Sequence, residues 1–539
     1  MSTRVRKPDD GEPCDVAIVG AGSAGCVLAN RLSAEPSRRV VLIEAGGRDR
    51  SPLVHLPFGL AVIARQRRIN WNYETAPQRH LDGRRLYWPR GKLLGGSSSV
   101  NAMCYVRGHP SDYDRWGEGW RWDDVLPEFR AQEANAWGAN APGPSGHHGA
   151  DGPLSVESIA EPNPLSHAFV ATAGALQMPR RADFNAGEQE GLGLYQVTQK
   201  RGLRHSAASA FLRPALDRPN LRVMTDAPVR RVAMDGARAV GVVLGDGARE
   251  GTVHAREVVL AGGAIGSPQL LMLSGIGPSD HLREHGIGVV ADRPNVGANL
   301  IDHLDAIALA RERGRLAYAI DPRAGPAMLR AAWGYARRRT GQLASNIAEA
   351  GGFARSRHAG DAPDIQLHFL PALLRDHGRR TAWGYGVSLH ACALRPLSRG
   401  TIRLSSADPD EPPVIDPDYL AHERDMDVME DALAHARRIL STPPLADHVR
   451  AEIEPGPGVE GREATREWIR ANAQTIYHPM GTCRMGSDAD SVVDLAGRVR
   501  GVEGLRVADA SLIPEPLGGN TNAPTMMIAG RIAGMMVRG

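Results

Sequence analysis

Short, unbroken apolar runs alternate with amphipathic ones along this chain, and the two patterns predict different elements. Val16–Val19 and Val40–Ile43 are apolar at every position, the pattern of a strand buried on both faces in a parallel sheet. Between them Ala24–Leu32 continues as a helix. Leu221–Val232 and Val240–Leu244 alternate like half-buried strands, and the apolar run Val258–Leu260 leads into a helix starting near Ser267 and Pro268. From about Ala310 to Arg470 the pattern changes. Ile365–Phe369, Tyr385–Ala391 and Gly400–Leu404 read as strands, PDEPPVIDPDYL as turns, and Arg424–Leu440 as a helix of period 3.6. Gly504–Met536 begins as a strand and ends as a helix entered at Pro524.

The first of these strands ends on a motif with a mechanism. Gly20, Gly22 and Gly25 form GxGxxG between strand and helix; they serve a tight turn, close approach to a pyrophosphate, and helix–strand contact. Glu44 closes the second strand about 20 residues on, where a carboxylate accepts hydrogen bonds from a ribose and repels a 2′-phosphate. A dinucleotide of the NAD or FAD type is expected, with NADP disfavoured. A second glycine–serine cluster, RGKLLGGSSSVNAM (Arg90–Met103), reads as a ligand-approaching segment or a surface turn. The fold expected is α/β (α+β overall): a Rossmann-like domain with a mixed, largely antiparallel second domain inserted into it.

Length and composition narrow the function. A chain of 539 residues predicts two domains. Lys+Arg 64 against Asp+Glu 61 leaves a net charge of +3, which gives no general field for nucleic acid or anionic lipid; no nucleic-acid partner is expected. Arg337, Arg338 and Arg339 form one local basic cluster, read as a solvated helix face. The five cysteines, at 14, 26, 104, 392 and 483, show no CxxC or paired spacing, so neither disulfides nor a metal site is expected. The polar N-terminus and the lack of a long uncharged apolar run predict a cytoplasmic chain, with peripheral attachment to the inner face of a membrane left open. GPSGHHGADG (143–152) reads as a loop.

Near the C-terminus, YHPMGTCRMG places His478 before Pro479 and five residues ahead of Cys483. Zinc would need further ligands, and no orienting residue supports a Cys–His nucleophile. A proton acceptor or a histidine in a tight turn remain. In NTNAPTMMIAGRIA, Asn522 stands just outside the predicted helix, as a cap or as a polar group at its positive mouth.

Together, GAGSAGCVLANRL with Glu44, RGKLLGGSSSVNAMCYVRG, GAIGSPQLLMLSGIG, YHPMGTCRMG and NTNAPTMMIAGRIA resemble the glucose-methanol-choline (GMC) oxidoreductase family over nearly the whole chain. The resemblance implies a flavoprotein that oxidises an alcohol by hydride transfer to FAD. It implies FAD-binding segments at 14–155, 216–309 and 470–539, a substrate-domain segment and linker at 156–215 and a substrate-binding domain at 310–469. Carried over by position, His478 accepts the hydroxyl proton and Asn522 orients the alkoxide. Gly20, Gly22, Ser23 and Gly25 meet the pyrophosphate and Glu44 the ribose. Arg90, Leu94, Gly95, Ser97 and Asn101 run along the isoalloxazine. Val229 touches the adenine, Ala261 lies beside the dinucleotide, and Asp509, Ala510 and Thr525 complete the flavin site. Val100 stands where some members attach flavin through histidine, so noncovalent FAD is expected.

For the substrate, SNIAEAGGFARS (Ser345–Ser356) resembles the choline dehydrogenase and medium-chain alcohol dehydrogenase members. Glu349 is a candidate partner for a trimethylammonium group, with Tyr477, Trp71, Trp88 or Trp383 as aromatic faces. HFLPALL (368–374) would instead line an apolar pocket. The expected partners are a primary alcohol, with choline as runner-up, and a quinone or oxygen as electron acceptor; Ile476 keeps oxygen in play. Light-driven decarboxylation and a non-catalytic flavoprotein are the lesser alternatives.

Overall fold

A computed structural model describes residues 13–63, 66–138, 146–245 and 250–538. The polar N-terminus (1–12) and residues 143–145 of the expected loop lie outside them. Two seven-stranded sheets organise the chain.

The first sheet runs in the order Leu221–Met224, Val40–Ile43, Cys14–Val19, Gly251–Leu260, Arg238–Leu244, Val229–Asp235, with Leu505–Val507 also on Gly251–Leu260. Its centre is parallel: Val19 sits in register with Ile43 on one side and Leu260 on the other. These strands are buried at nearly every position, which is why they read as unbroken apolar runs. Leu221–Val232 is two strands rather than one. Leu221–Met224 pairs with Val40–Ile43, while Val229–Asp235 forms the far edge, because the chain turns through Asp226 at φ 55°. Gly251–Leu260 is longer than the apolar run suggests, since its first half pairs antiparallel with Arg238–Leu244.

The second sheet is antiparallel throughout, in the order Val449–Glu454, Leu304–Glu312, Gly386–Ala393, Ile365–Leu370, Ala350–Ala354, Gly191–Leu194, with Gln474–Thr475 also on Leu304–Glu312. That sheet therefore takes up the chain at Leu304, ahead of the expected division at 309/310, and recruits Gly191–Leu194 from far upstream. The helix Glu423–Leu440 packs one apolar face on Gly386–Ala393 and Leu304–Glu312. No helix among the described residues is long and apolar enough to cross a membrane.

Two helix beginnings differ from the sequence reading. The helix after Leu260 starts at Gly263, four residues before Ser267, with the Gly263 N–H donating to Asp509 Oδ2 at 2.8 Å. The C-terminal helix spans Asn522–Arg538, so Asn522 is its first residue rather than a neighbour of the cap.

Candidate active site

The C-terminal edge of the parallel strands, the glycine loop and one face of the antiparallel sheet enclose a cavity of about 670 Å³. One end is built for a dinucleotide. Gly22 has nothing within 4 Å of where a Cβ would stand, so its backbone is open to a ligand. Gly20 and Gly25 serve the turn behind it: Gly20 holds φ +100°, and a Cβ on Gly25 would fall 1.8 Å from Gly20 O. Ser23 begins the helix Ser23–Leu32, whose free amide end favours phosphate charge. Glu44 accepts the Ala21 and Gly46 N–H groups at 2.8 Å each; burial pushes its carboxyl up to about 7 against those bonds.

Gly20, Gly22, Ser23, Glu44, Arg90 and Ser97 line this cavity, as do Asn101, Val229, Ala261, Asp509, Ala510 and Thr525. Three expected contacts do not: Gly25, Leu94 and Gly95 are absent from the wall. The Leu94 N–H donates to Gly47 O at 3.0 Å and the Gly95 N–H to Ala21 O at 2.7 Å, so these two fasten the second glycine cluster onto the first from behind. Gly96 presses against the same loop, where a Cβ would lie 2.7 Å from Gly22 Cα. Asp509 is satisfied by the protein itself, accepting from Ser267 Oγ at 2.6 Å, Gly263 N and Ser511 N. These features fit a dinucleotide: a loop only glycine can form, two helix ends and a ribose-reading carboxylate.

His478 stands between that end and the apolar end. It is buried and lines the cavity. Its turn is held by Asp302, a residue the sequence reading missed: Asp302 accepts from His478 N at 2.7 Å, from Thr475 Oγ1 at 2.6 Å and from the Tyr419 hydroxyl. Tyr477 is bent into the left-handed region at φ 71°, and Arg90 Nη2 donates to its carbonyl at 2.9 Å. A non-glycine residue there stores strain, offset by the surrounding bonds that aim the next side chain. Burial pushes the Arg90 guanidinium down to about 10.

The partner of His478 is Asn520, not Asn522. Asn520 Nδ2 lies 3.0 Å from His478 Nε2, while Asn520 Oδ1 accepts from Gln366 Nε2 at 3.0 Å. Asn522 lines the cavity too, but its Oδ1 accepts from Ser23 Oγ at 2.7 Å, and so it joins the two helix ends beside the nucleotide loop. The reason is local: the helix starts at Asn522 and turns that side chain toward Ser23, leaving Asn520 in the preceding extended segment to reach the histidine.

The amide fixes the tautomer by its bonds. Because Gln366 donates to Oδ1, Asn520 Nδ2 is the donor toward His478, and Nε2 carries a lone pair. Nδ1 of His478 then holds the proton and donates to His303 Nδ1 at 3.0 Å. Burial, then His303, His368 and Arg90 nearby, lower the His478 pKa well below the ordinary value. Burial also pushes His303 and His368 down to about 3. The imidazole is therefore neutral, with its basic nitrogen facing the cavity.

Phe58, Ile347, Leu370, Leu373, Leu374 and Ile476 wall the far end. His368 and His390 sit in register on adjacent strands and also line it. The Nε2 atoms of both are buried without a protein partner; His390 Nδ1 is hydrogen-bonded to Asp305 Oδ2 at 2.6 Å. Gln366, His368 and Leu370 share one face of their strand, and His368, Leu370, Leu373 and Leu374 of the HFLPALL segment line this wall. Among the described residues no carboxylate lines this end.

Glu349 does not reach the cavity. It is fully buried and accepts from Ser345 Oγ, Tyr318 OH, Ser166 Oγ and Asn163 N at 2.6–2.8 Å. Trp88 is in the core and Trp383 on the surface; Trp71 and Tyr477 line the cavity, Trp71 with Lys92 Nζ 4.2 Å over its ring. Cys483 is buried, and burial raises its thiol pKa well above the usual range, consistent with packing rather than chemistry. No group of three or more metal-ligating side chains occurs among the described residues.

A glycine-loop dinucleotide site opens into one cavity with a histidine–asparagine pair, the arrangement of a dinucleotide-dependent oxidoreductase. Family models described as GMC oxidoreductase match residues 14–305 and 396–529, and the chain belongs to that family. It is 48% identical over 531 residues to the alcohol dehydrogenase [acceptor] of Pseudomonas putida, covering 97% of this chain and 96% of that one. It is 43% identical to the mitochondrial choline dehydrogenase of Mus musculus, over 96% of this chain and 88% of that one. Among solved structures, pyridoxine 4-oxidase from Mesorbium loti superposes with a TM-score of 0.88 at 34% identity, over 98% of this chain and 99% of that one.

Proposed function

We propose that this enzyme oxidises an uncharged primary alcohol to an aldehyde, with His478 as proton acceptor and Asn520 as the donor that orients the alcohol oxygen. The observation that carries this reading is the convergence of His478 Nε2 and Asn520 Nδ2, 3.0 Å apart, on a cavity that joins the dinucleotide loop to an apolar wall. FAD, when bound, supplies the two-electron acceptor for the hydride. The alcohol oxygen enters between amide and imidazole, accepting from Asn520 and donating to Nε2. An aliphatic alcohol is too weak an acid to ionise alone, so removal of its proton by the neutral imidazole makes the carbon a better hydride donor. His303 receives the Nδ1–H bond and keeps the tautomer fixed as charge develops.

The apolar wall supports an alkyl or aryl alcohol. Glu349, the candidate anion for choline, is committed to four internal hydrogen bonds, so the cation reading loses its anchor. Mixing the yellow protein anaerobically with medium-chain alcohols, benzyl alcohol, choline and sugars should bleach the flavin fastest with the first two. Bleaching by choline alone would overturn the substrate assignment, and bleaching by none the alcohol reading for that panel. A quinone or oxygen would serve as the final electron acceptor.

With valine at position 100, FAD is held without a covalent bond. Acid precipitation should leave the yellow colour in the supernatant; colour in the pellet would refute this.

The depressed His478 pKa sets a pH dependence. A free imidazole would lose its basic form as pH falls through ~6.5; here the base stays neutral below that value. The rate of flavin reduction should therefore stay level from about pH 8 to about pH 6. A fall centred near 6.5 in stopped-flow traces would show that the imidazole is solvated in the loaded enzyme.

A further inference from the structure

The helix Gly325–Arg338 is amphipathic in the wrong direction for a surface helix. Tyr335 is its one buried residue, with Met328 and Ala331 half-buried on the same side. Leu329, Ala332, Trp333 and Ala336 point outward, Leu329 being 75% and Trp333 63% exposed. A helix that serves only its own fold turns such residues inward. Ile320, 51% exposed, stands five residues before the helix in sequence and is bridged to Trp383, 61% exposed. Ile320 and Met328 also line the cavity, so the patch rims its mouth.

The helix itself carries charge of one sign, with Asp321 just before it and Glu161 accepting from Thr340 Oγ1 at 3.0 Å just after it. Arg323, Arg330, Arg337, Arg338 and Arg339 give five positive charges, and no acidic residue occurs between Pro322 and Ala348, in a chain whose net charge is only +3. Three of these arginines are spent on rings or backbone rather than carboxylates. Arg337 lies 4.1 Å over the Trp333 ring, Arg339 lies 5.0 Å over Tyr335, and Arg330 donates to Pro326 O.

We propose that this helix docks on an anionic lipid surface, with Leu329 and Trp333 seated at the headgroup boundary and the arginines among the phosphates. An outward stripe of leucine and tryptophan flanked by arginines is what an interfacial helix needs. A symmetric second copy on this face would set five arginines against five, which like-charge repulsion opposes. Docked this way, the cavity mouth opens at the bilayer, where an apolar alcohol or a lipid-soluble acceptor is concentrated. The docking itself does not depend on the reaction proposed above.

The test is co-sedimentation of the full-length, FAD-loaded protein with vesicles of phosphatidylcholine alone or with about one-third phosphatidylglycerol. The protein should sediment with the anionic vesicles, less so as salt shortens the Debye length. The double variant Leu329→Asp/Trp333→Asp should lower the partition coefficient ~10-fold or more, and Arg330→Glu/Arg337→Glu should remove the preference for anionic vesicles. Both variants should reduce a soluble dye with a soluble alcohol at the wild-type rate, which separates this test from that of the reaction. Failure of the wild type to bind either vesicle, or equal sedimentation of the Leu329→Asp/Trp333→Asp variant, would overturn the proposal. So would a concentration-dependent dimer in ultracentrifugation that the same variant dissolves, which would assign the face to a second copy.

Discussion

His478→Ala is expected to fold and to hold FAD yet reduce it with alcohol ~10²-fold or more slowly than the wild type. The expectation rests on three features of the site. His478 presents a lone pair to the cavity because Asn520 and His303 occupy its two nitrogens as donor and acceptor. Its aim is set from behind by the bond from its own N–H to Asp302, which survives truncation of the side chain. Its hydrogen bonds go to Asp302, His303 and Asn520 rather than to the glycine loop, so its truncation leaves the loop's own bonds intact. Anaerobic stopped-flow reduction of the yellow variant is the measurement. A rate within a few-fold of the wild type would return His478 to the role of a buried turn residue.

Substituting the two neighbouring asparagines should have opposite consequences. Asn520→Ala removes the one amide that both donates toward the reacting oxygen and fixes the imidazole tautomer. Loss of a positioned donor of this kind costs ~10²-fold in rate, and FAD should stay bound. Asn522→Ala breaks the bond from Ser23 Oγ between the two helix ends. It should weaken FAD retention, while the flavin that remains is reduced within a few-fold of the normal rate. Measuring flavin content and reduction rate on the same preparations separates the two effects. Equal rate losses in both variants would remove Asn520 from its special position.

These two residues also show where sequence reasoning reaches its limit. Near Pro524 the chain offers two asparagines two positions apart, and the motif alone does not say which one the helix carries away. That depends on where the helix begins: it begins at Asn522, which turns that side chain toward Ser23, 499 positions away in sequence. Glu349 fails for a similar reason. An acid near a stretch that resembles the substrate segment reads as a ligand, but only packing shows that Ser345, Tyr318, Ser166 and Asn163 take both its oxygens. Asp302, His303, Gln366 and His390 each look ordinary in their own segments. They become a site when strands far apart in sequence set them side by side.

The sequence by itself determined the nucleotide loop, the parallel strands around it and the identity of the histidine. Each of these is local: a glycine that must hold positive φ, an apolar run with no exposed face, a proline-turn motif. Only the tertiary structure decided the partner of that histidine, its tautomer, the character of the substrate wall and the outward face of the helix Gly325–Arg338. Those depend on which side chains meet across the fold and on how much water burial excludes, and neither is written in the spacing along the chain.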